Sequence, residues 1–149
     1  MNTPTTNTDT QQSDQSHLLQ IYLRDHEAAS VGGLQLFRQC AKANSGTKYA
    51  RELDRLTNEI RSDRDALRNI CQRFGVKYSN LGRALALTGA TVGRLKTNGR
   101  AFSYSPLSRV IELEAMSAGV ITKLRLWESL LLLARVEPRL DGAEMARHA

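Results

Sequence analysis

Apolar residues recur every three or four positions along four long segments of this chain, and short breaks containing glycine separate the segments. That spacing is the period of an α-helix with one buried stripe. The first segment spans about His17 to Lys42, with Leu19, Tyr22, Leu23, Ala29, Gly33, Leu36, Phe37 and Cys40 on its stripe. Asn44-Ser45-Gly46 breaks it, and Thr47 can cap a second helix carrying Leu53, Leu56, Ile60, Leu67, Ile70 and Phe74 and ending near Gly75. Ser79 or Asn80 can cap a third, with Leu81, Leu85, Thr88, Val92 and Leu95 inward, which Asn98-Gly99 ends. Ser105-Pro106 is a strong start signal, a capping hydroxyl before a proline at the first helical position. The fourth helix then reaches about Val136 with Leu107, Val110, Ile111, Ser117, Ala118, Ile121, Leu124 and Leu131 on its stripe.

Turns this short force neighbouring helices to run antiparallel. The expected fold is all-α, an up-down-up-down antiparallel four-helix bundle over residues 17–136. A polar tail, 1–16, precedes it and is expected to be disordered, since it carries no apolar residue after Met1. A C-terminal tail, 137–149, follows. Aromatic residues make up only 5% of the chain, so core volume comes from Leu, Ile, Val and Ala, which suit close helix packing.

The end of the fourth helix is apolar on nearly every side, with Trp127 followed by Leu130 to Leu133. Such a helix must be covered all round. A homodimer contact near Trp127 and Leu130 would do this, and so would burial beneath the tail from Glu137 to Ala149.

Charge is unevenly spread. The formal net charge is +6, and no acidic residue lies between Asp65 and Glu112, a span that carries Arg68, Arg73, Lys77, Arg83, Arg94, Lys96, Arg100 and Arg109. Arg94, Lys96, Arg100 and Arg109 cluster in sequence around the start of the fourth helix, where exposed amides and the helix dipole favour an anion. Phosphate or nucleic acid is the partner this implies. A solvated basic surface and cations placed at a helix C-terminus account for the same residues.

Several chemistries lack their motifs. There is no Walker loop, no Gly-x-Gly-x-x-Gly and no Gly-x-Ser-x-Gly. Cys40 and Cys71 stand alone on helices and read as buried thiols. The N-terminus lacks the pattern of a signal peptide, and no apolar run approaches the roughly 20 residues of a membrane span, so a cytoplasmic location is expected.

Three polar residues interrupt the stripes: His26 between Leu23 and Ala29, Asp63 between Ile60 and Leu67, and Glu114 between Ile111 and Ser117. Counted from the turns, they fall at nearly one height in the bundle, with Thr88 or Thr91 at the same level on the third helix. Buried charges are costly unless paired or metal-bound. Two accounts therefore fit. In one, His26, Asp63 and Glu114 ligate a divalent transition metal, iron, manganese or zinc. In the other, a protonated His26 bridges the two carboxylates in a structural network completed by Arg64 or a threonine hydroxyl.

The segments Tyr22 to His26, Glu59 to Arg64, Gly93 to Arg100, and Ser105 to Arg109 followed by Glu112-Leu113-Glu114 make the chain resemble the ferritin-like superfamily. Within it, they resemble a bacterial family of similar length to which no activity is assigned. The resemblance covers His17 to about Arg135 and implies a fold more than a function. Ferritin-like di-iron enzymes carry Glu-x-x-His on two of their helices. This chain has no Glu-x-x-His, and its third helix offers no carboxylate, so a full di-iron set is missing. A reduced site would use His26, Asp63 and Glu114, with Glu59, Asp25 and Glu112 outside them. The expectation is a non-enzymatic bundle protein whose polar layer is structural or holds at most one divalent metal. An anion- or nucleic-acid-binding module and a metal-dependent oxidase are the alternatives.

Overall fold

A computed structural model describes residues 6–77 and 106–149. The described residues form four helices and no strand: α1 (Thr6–Ala43), α2 (Ala50–Arg73), α3 (Pro106–Leu133) and a short α4 (Gly142–His148). The expected third helical segment, with Arg94, Lys96 and Arg100, lies outside the described residues. α3 is the segment expected as the fourth, and it opens at Pro106, where the start signal placed it.

α1 begins at Thr6, well before His17. Residues 6–16 contain neither proline nor glycine, so nothing stops the packed helix from continuing toward its N-terminus. At its other end, the Asn44 side-chain amide and backbone N–H both donate to the Cys40 carbonyl, and Gly46 turns the chain at a φ of 85°. Thr47 accepts a hydrogen bond from the Tyr49 N–H and donates to the Asn44 carbonyl, tightening the turn just before α2.

α2 ends in a Schellman motif. The Val76 N–H reaches back to Cys71 O at 2.9 Å, the Gly75 N–H reaches Gln72 O, and Gly75 holds the left-handed φ of 63° that this closure needs. Val76 is buried, supplying the apolar contact that accompanies such ends.

Two apolar cores lie at different levels. One joins Leu36, Phe37, Cys40 and Ala41 of α1 to Leu53 of α2 and Met116 of α3. The other joins Leu23 to Leu67, Ile70 and Phe74, to Leu126, Trp127 and Leu130 of α3, and to Leu140 and Met145. Later residues of α2 thus meet earlier residues of α1, as Gln20 does in donating to the Phe74 carbonyl.

Trp127 and Leu130 are buried within the chain itself. Leu140 and Met145 of the C-terminal segment pack in the same core, and Trp127 is 0% exposed. The homodimer contact expected at these two residues is therefore replaced by burial under the C-terminal tail. Asp141 caps α4 by accepting from the Ala143 N–H at 2.8 Å, which makes the tail a docked helical turn.

α3 buries a different face from the expected one. Met116, Leu126, Trp127 and Leu130 are buried, whereas Leu107, Val110 and Ile121 of the expected stripe are each more than half exposed. No described helix is long and apolar enough to cross a membrane.

Gly33 of α1 and Gly119 of α3 sit mid-helix, and a Cβ built on either meets no atom within 4 Å. Gly33→Ala and Gly119→Ala are each expected to raise stability by about 0.5–1 kcal/mol, the usual helix-interior gain over glycine. Urea denaturation checks this, and a loss in either variant would show that the space is not open.

Candidate functional site: a charged layer between two cores

Between the two cores, α1, α2 and α3 bring charged side chains inward. Glu27 sits one helical turn beyond Leu23 and is only 4% exposed. A carboxylate so deeply buried needs a cation, and Arg64 of α2 supplies one, with Nη2 at 3.1 Å from Glu27 Oε1. Asp63 is held on both oxygens: Lys123 Nζ of α3 lies 2.6 Å from Oδ2, and His148 Nδ1 of α4 lies 2.7 Å from Oδ1. The His148 ring stacks on Trp127, centroids 4.6 Å apart and 23° from parallel. One carboxylate therefore ties three helices together, and its partner on α4 also covers the largest core side chain.

A cavity of about 210 Å³ opens beside this layer. Its apolar walls include Ala29, Phe37, Ile60, Leu67, Met116 and Leu126, and His26, Asp63, Arg64, Lys123 and Trp127 also line it. Arg64 Nε and Trp127 Nε1, which belong to two of the lining residues, are fully buried and have no hydrogen-bond partner among the described residues.

The structure brings His26 and Asp63 to the walls of one cavity, but it does not bring Glu114 there. Glu114 is exposed on α3, and Lys123 reaches Asp63 instead. None of the outer candidates lines that cavity. Asp25 pairs with Arg24 beside it, and Glu59 pairs with Arg55, which also holds Glu52. Glu112 is half-buried, and that burial pushes its carboxyl upward. No group of three or more His, Cys, Asp or Glu side chains is close enough to hold a metal ion among the described residues. Of the four anion-site candidates, only Arg109 is described, and it is exposed on α3. Cys40 and Cys71 are both buried, the Cys71 thiol donating to Leu23 O at 3.8 Å, and burial is the main cause raising the Cys40 thiol.

Reading the sequence missed Glu27, Lys123 and His148. Glu27 had a signal, since Leu23, Glu27, Leu34, Phe37 and Ala41 trace a single stripe on α1. Lys123 and His148 had none, because the one lies on a helix of uncertain phase and the other in an expected tail.

His26 stands edge-on to Tyr22, ring centroids 4.5 Å apart. Burial lowers its imidazole below the ordinary value, partly opposed by the Asp25 charge. The unfolded chain takes up this proton near the ordinary value of about 6.5, and the folded chain only at lower pH. The stabilisation is thus complete above the unfolded value and is lost as pH falls through the folded one. Between about pH 7 and 5, wild type is expected to lose more stability than His26→Leu in urea titrations. Parallel losses would remove His26 from this account.

No family model matches the chain, and no curated protein or solved structure matches it either.

Proposed function

We propose that this chain is a non-enzymatic, ferritin-like helical bundle of up-down-up-down topology whose interior charged layer is structural. The observation that carries this reading is the pairing of Asp63, with both oxygens occupied by Lys123 and His148. A carboxylate so engaged is a poor metal ligand, because a cation would have to displace a lysine and a histidine already bonded to it. The layer instead sets the relative height of α1, α2 and α3 between the two cores and holds the C-terminal turn over Trp127. A misaligned helix would leave Glu27 or Asp63 buried without a partner, at a cost of several kcal/mol.

The up-down-up-down order is supported by the direction of the described helices. Later residues of both α2 and α3 meet earlier residues of α1, so α1 runs against both. α2 thus ends at the opposite end of the bundle from where α3 begins, as this topology requires.

Elemental analysis tests the structural assignment. Protein purified without an affinity tag or chelator, then loaded with ferrous iron, manganese or zinc and desalted, is expected to retain far less than one ion per chain. Retention close to one, lost in Asp63→Ala, would replace the structural layer with a metal site.

A further inference from the structure

We propose that a second, polar cavity, beside the turn between α1 and α2, binds a small phosphate monoester bearing hydroxyl groups, such as a sugar phosphate. Arg38 and Lys42 of α1 and Arg61 of α2 line this cavity, whose volume is about 590 Å³. That size lies within the roughly 300–1,000 Å³ of small-molecule sites. Lys42 also offsets the negative end of α1, which closes at Ala43, but Arg38 and Arg61 stand away from any helix end. Helix stabilisation therefore does not explain why cations from two helices share one cavity.

The anion follows from the charges left without partners. Arg24, Arg55, Arg64, Arg73, Arg125 and Arg139 each pair with a carboxylate. Arg38, Lys42 and Arg61 pair with none among the described residues, although Asp54 lines the same cavity. Three like charges around one cavity repel each other, and an anion between them removes that repulsion. Arg61 Nη1 donates to Asn58 Oδ1 at 2.7 Å, which steadies the guanidinium while its other N–H groups stay uncommitted. A guanidinium fork matches two phosphate oxygens in parallel bonds.

The monoester follows from the balance of charge. Three cations against the single carboxylate of Asp54 leave two positive charges on the described lining. A phosphate monoester carries about −1.5 to −2 at neutral pH, whereas a carboxylate or a phosphodiester carries a single negative charge. The hydroxyls follow from the rest of the wall. Asp54 can accept from a hydroxyl and the Asn58 amide can donate to one, while Ala41 and Ala50 are the only apolar side chains among the described lining residues. No aromatic ring stands among them to stack a nucleobase.

The experiment titrates full-length protein by calorimetry, near neutral pH and at low ionic strength, with glucose 6-phosphate, inorganic phosphate, glucose and a short oligothymidylate. Glucose 6-phosphate is expected to saturate one site per chain. Inorganic phosphate, which has the charge without the sugar hydroxyls, is expected to bind about fivefold more weakly, the worth of one hydrogen bond. Glucose alone is expected to give no saturable heat. The double variant Arg38→Ala, Arg61→Ala is expected to weaken glucose 6-phosphate about tenfold or more, since it removes charge-assisted bonds. Both side chains are exposed, so the fold should stand, and circular dichroism checks it.

Arg68→Ala, which removes an exposed cation of α2 that does not line the cavity, is expected to leave binding unchanged. Asp54→Ala is expected to erase the preference for glucose 6-phosphate over inorganic phosphate. No saturable binding of glucose 6-phosphate to wild type would overturn the site. Binding unchanged in the folded double variant, or lost equally in Arg68→Ala, would place it elsewhere and overturn the site too. Equal affinity of wild type for inorganic phosphate would remove the hydroxylated class. Tighter binding of the oligothymidylate, lost in the double variant, would make this face a nucleic-acid surface and overturn the small-molecule reading.

Discussion

Trp127→Ala is expected to cost about 3–5 kcal/mol, the usual loss for truncating a large buried aromatic. A domain of this size has only about 5–15 kcal/mol of stability, so the variant should melt about 10 °C or more below wild type. The reason is the position of Trp127 at a junction. It is 0% exposed, packs with Leu23, Ile70, Leu130 and Met145, and carries the stacked His148 ring. Losing it opens the core and loosens the docked C-terminal turn together. Thermal melts followed by far-ultraviolet circular dichroism measure the effect, with Leu132→Ala as the control. Leu132 is 61% exposed and should change stability by no more than about 0.5 kcal/mol. Equal small effects of the two substitutions would mean that Trp127 is not buried as described.

Asp63→Leu is expected to destabilise by about 2–3 kcal/mol. Removing one partner of a fully buried ion pair costs about 3–5 kcal/mol because the other charge is left uncompensated. The figure is smaller here because the Lys123 side chain is 29% exposed and water screens it. The substitution also frees His148, so the C-terminal turn should become easier to cleave. Limited proteolysis with trypsin, followed by mass spectrometry, is expected to show faster cutting at Arg139 and Arg147 in Asp63→Leu than in wild type. Unchanged stability and cleavage together would mean that the layer holds nothing in place.

The parts of this architecture that were legible share a physical cause. α2 alternates cleanly between an apolar stripe and charged positions, so its inward residues, Leu53, Leu67, Ile70 and Phe74, could be read from spacing. The turn between α1 and α2 is short and glycine-centred, which fixes their relative height. His26 and Asp63, nearly equidistant from that turn, do reach one cavity.

α3 gave no comparable phase. Apolar side chains occur on almost every side of it, and a helix without a polar face does not announce which side is buried. The apolar positions best aligned by count, Leu107, Val110 and Ile121, are exposed, while Met116 and Trp127 face inward. Its height relative to α2 was counted through two further turns rather than one, and Lys123 stands where Glu114 was expected.

His148 illustrates a different limit. A residue next to the C-terminus reaches Asp63 only because Leu140 and Met145 anchor the chain between them, a long-range arrangement with no local periodicity. The two buried N–H groups without a partner among the described residues, Arg64 Nε and Trp127 Nε1, are likewise visible only once the helices are placed side by side.

The internal pairing of Asp63 with Lys123 in the charged layer is measured directly by a double-mutant cycle. Asp63→Asn, Lys123→Met and the double variant would be compared with wild type by urea denaturation near neutral pH. Contacting charged groups give coupling energies of about 0.5–3 kcal/mol. A favourable coupling of about 1 kcal/mol or more is expected for this pair, whose separation is 2.6 Å. Purely additive losses, with no coupling between the two positions, would contradict it.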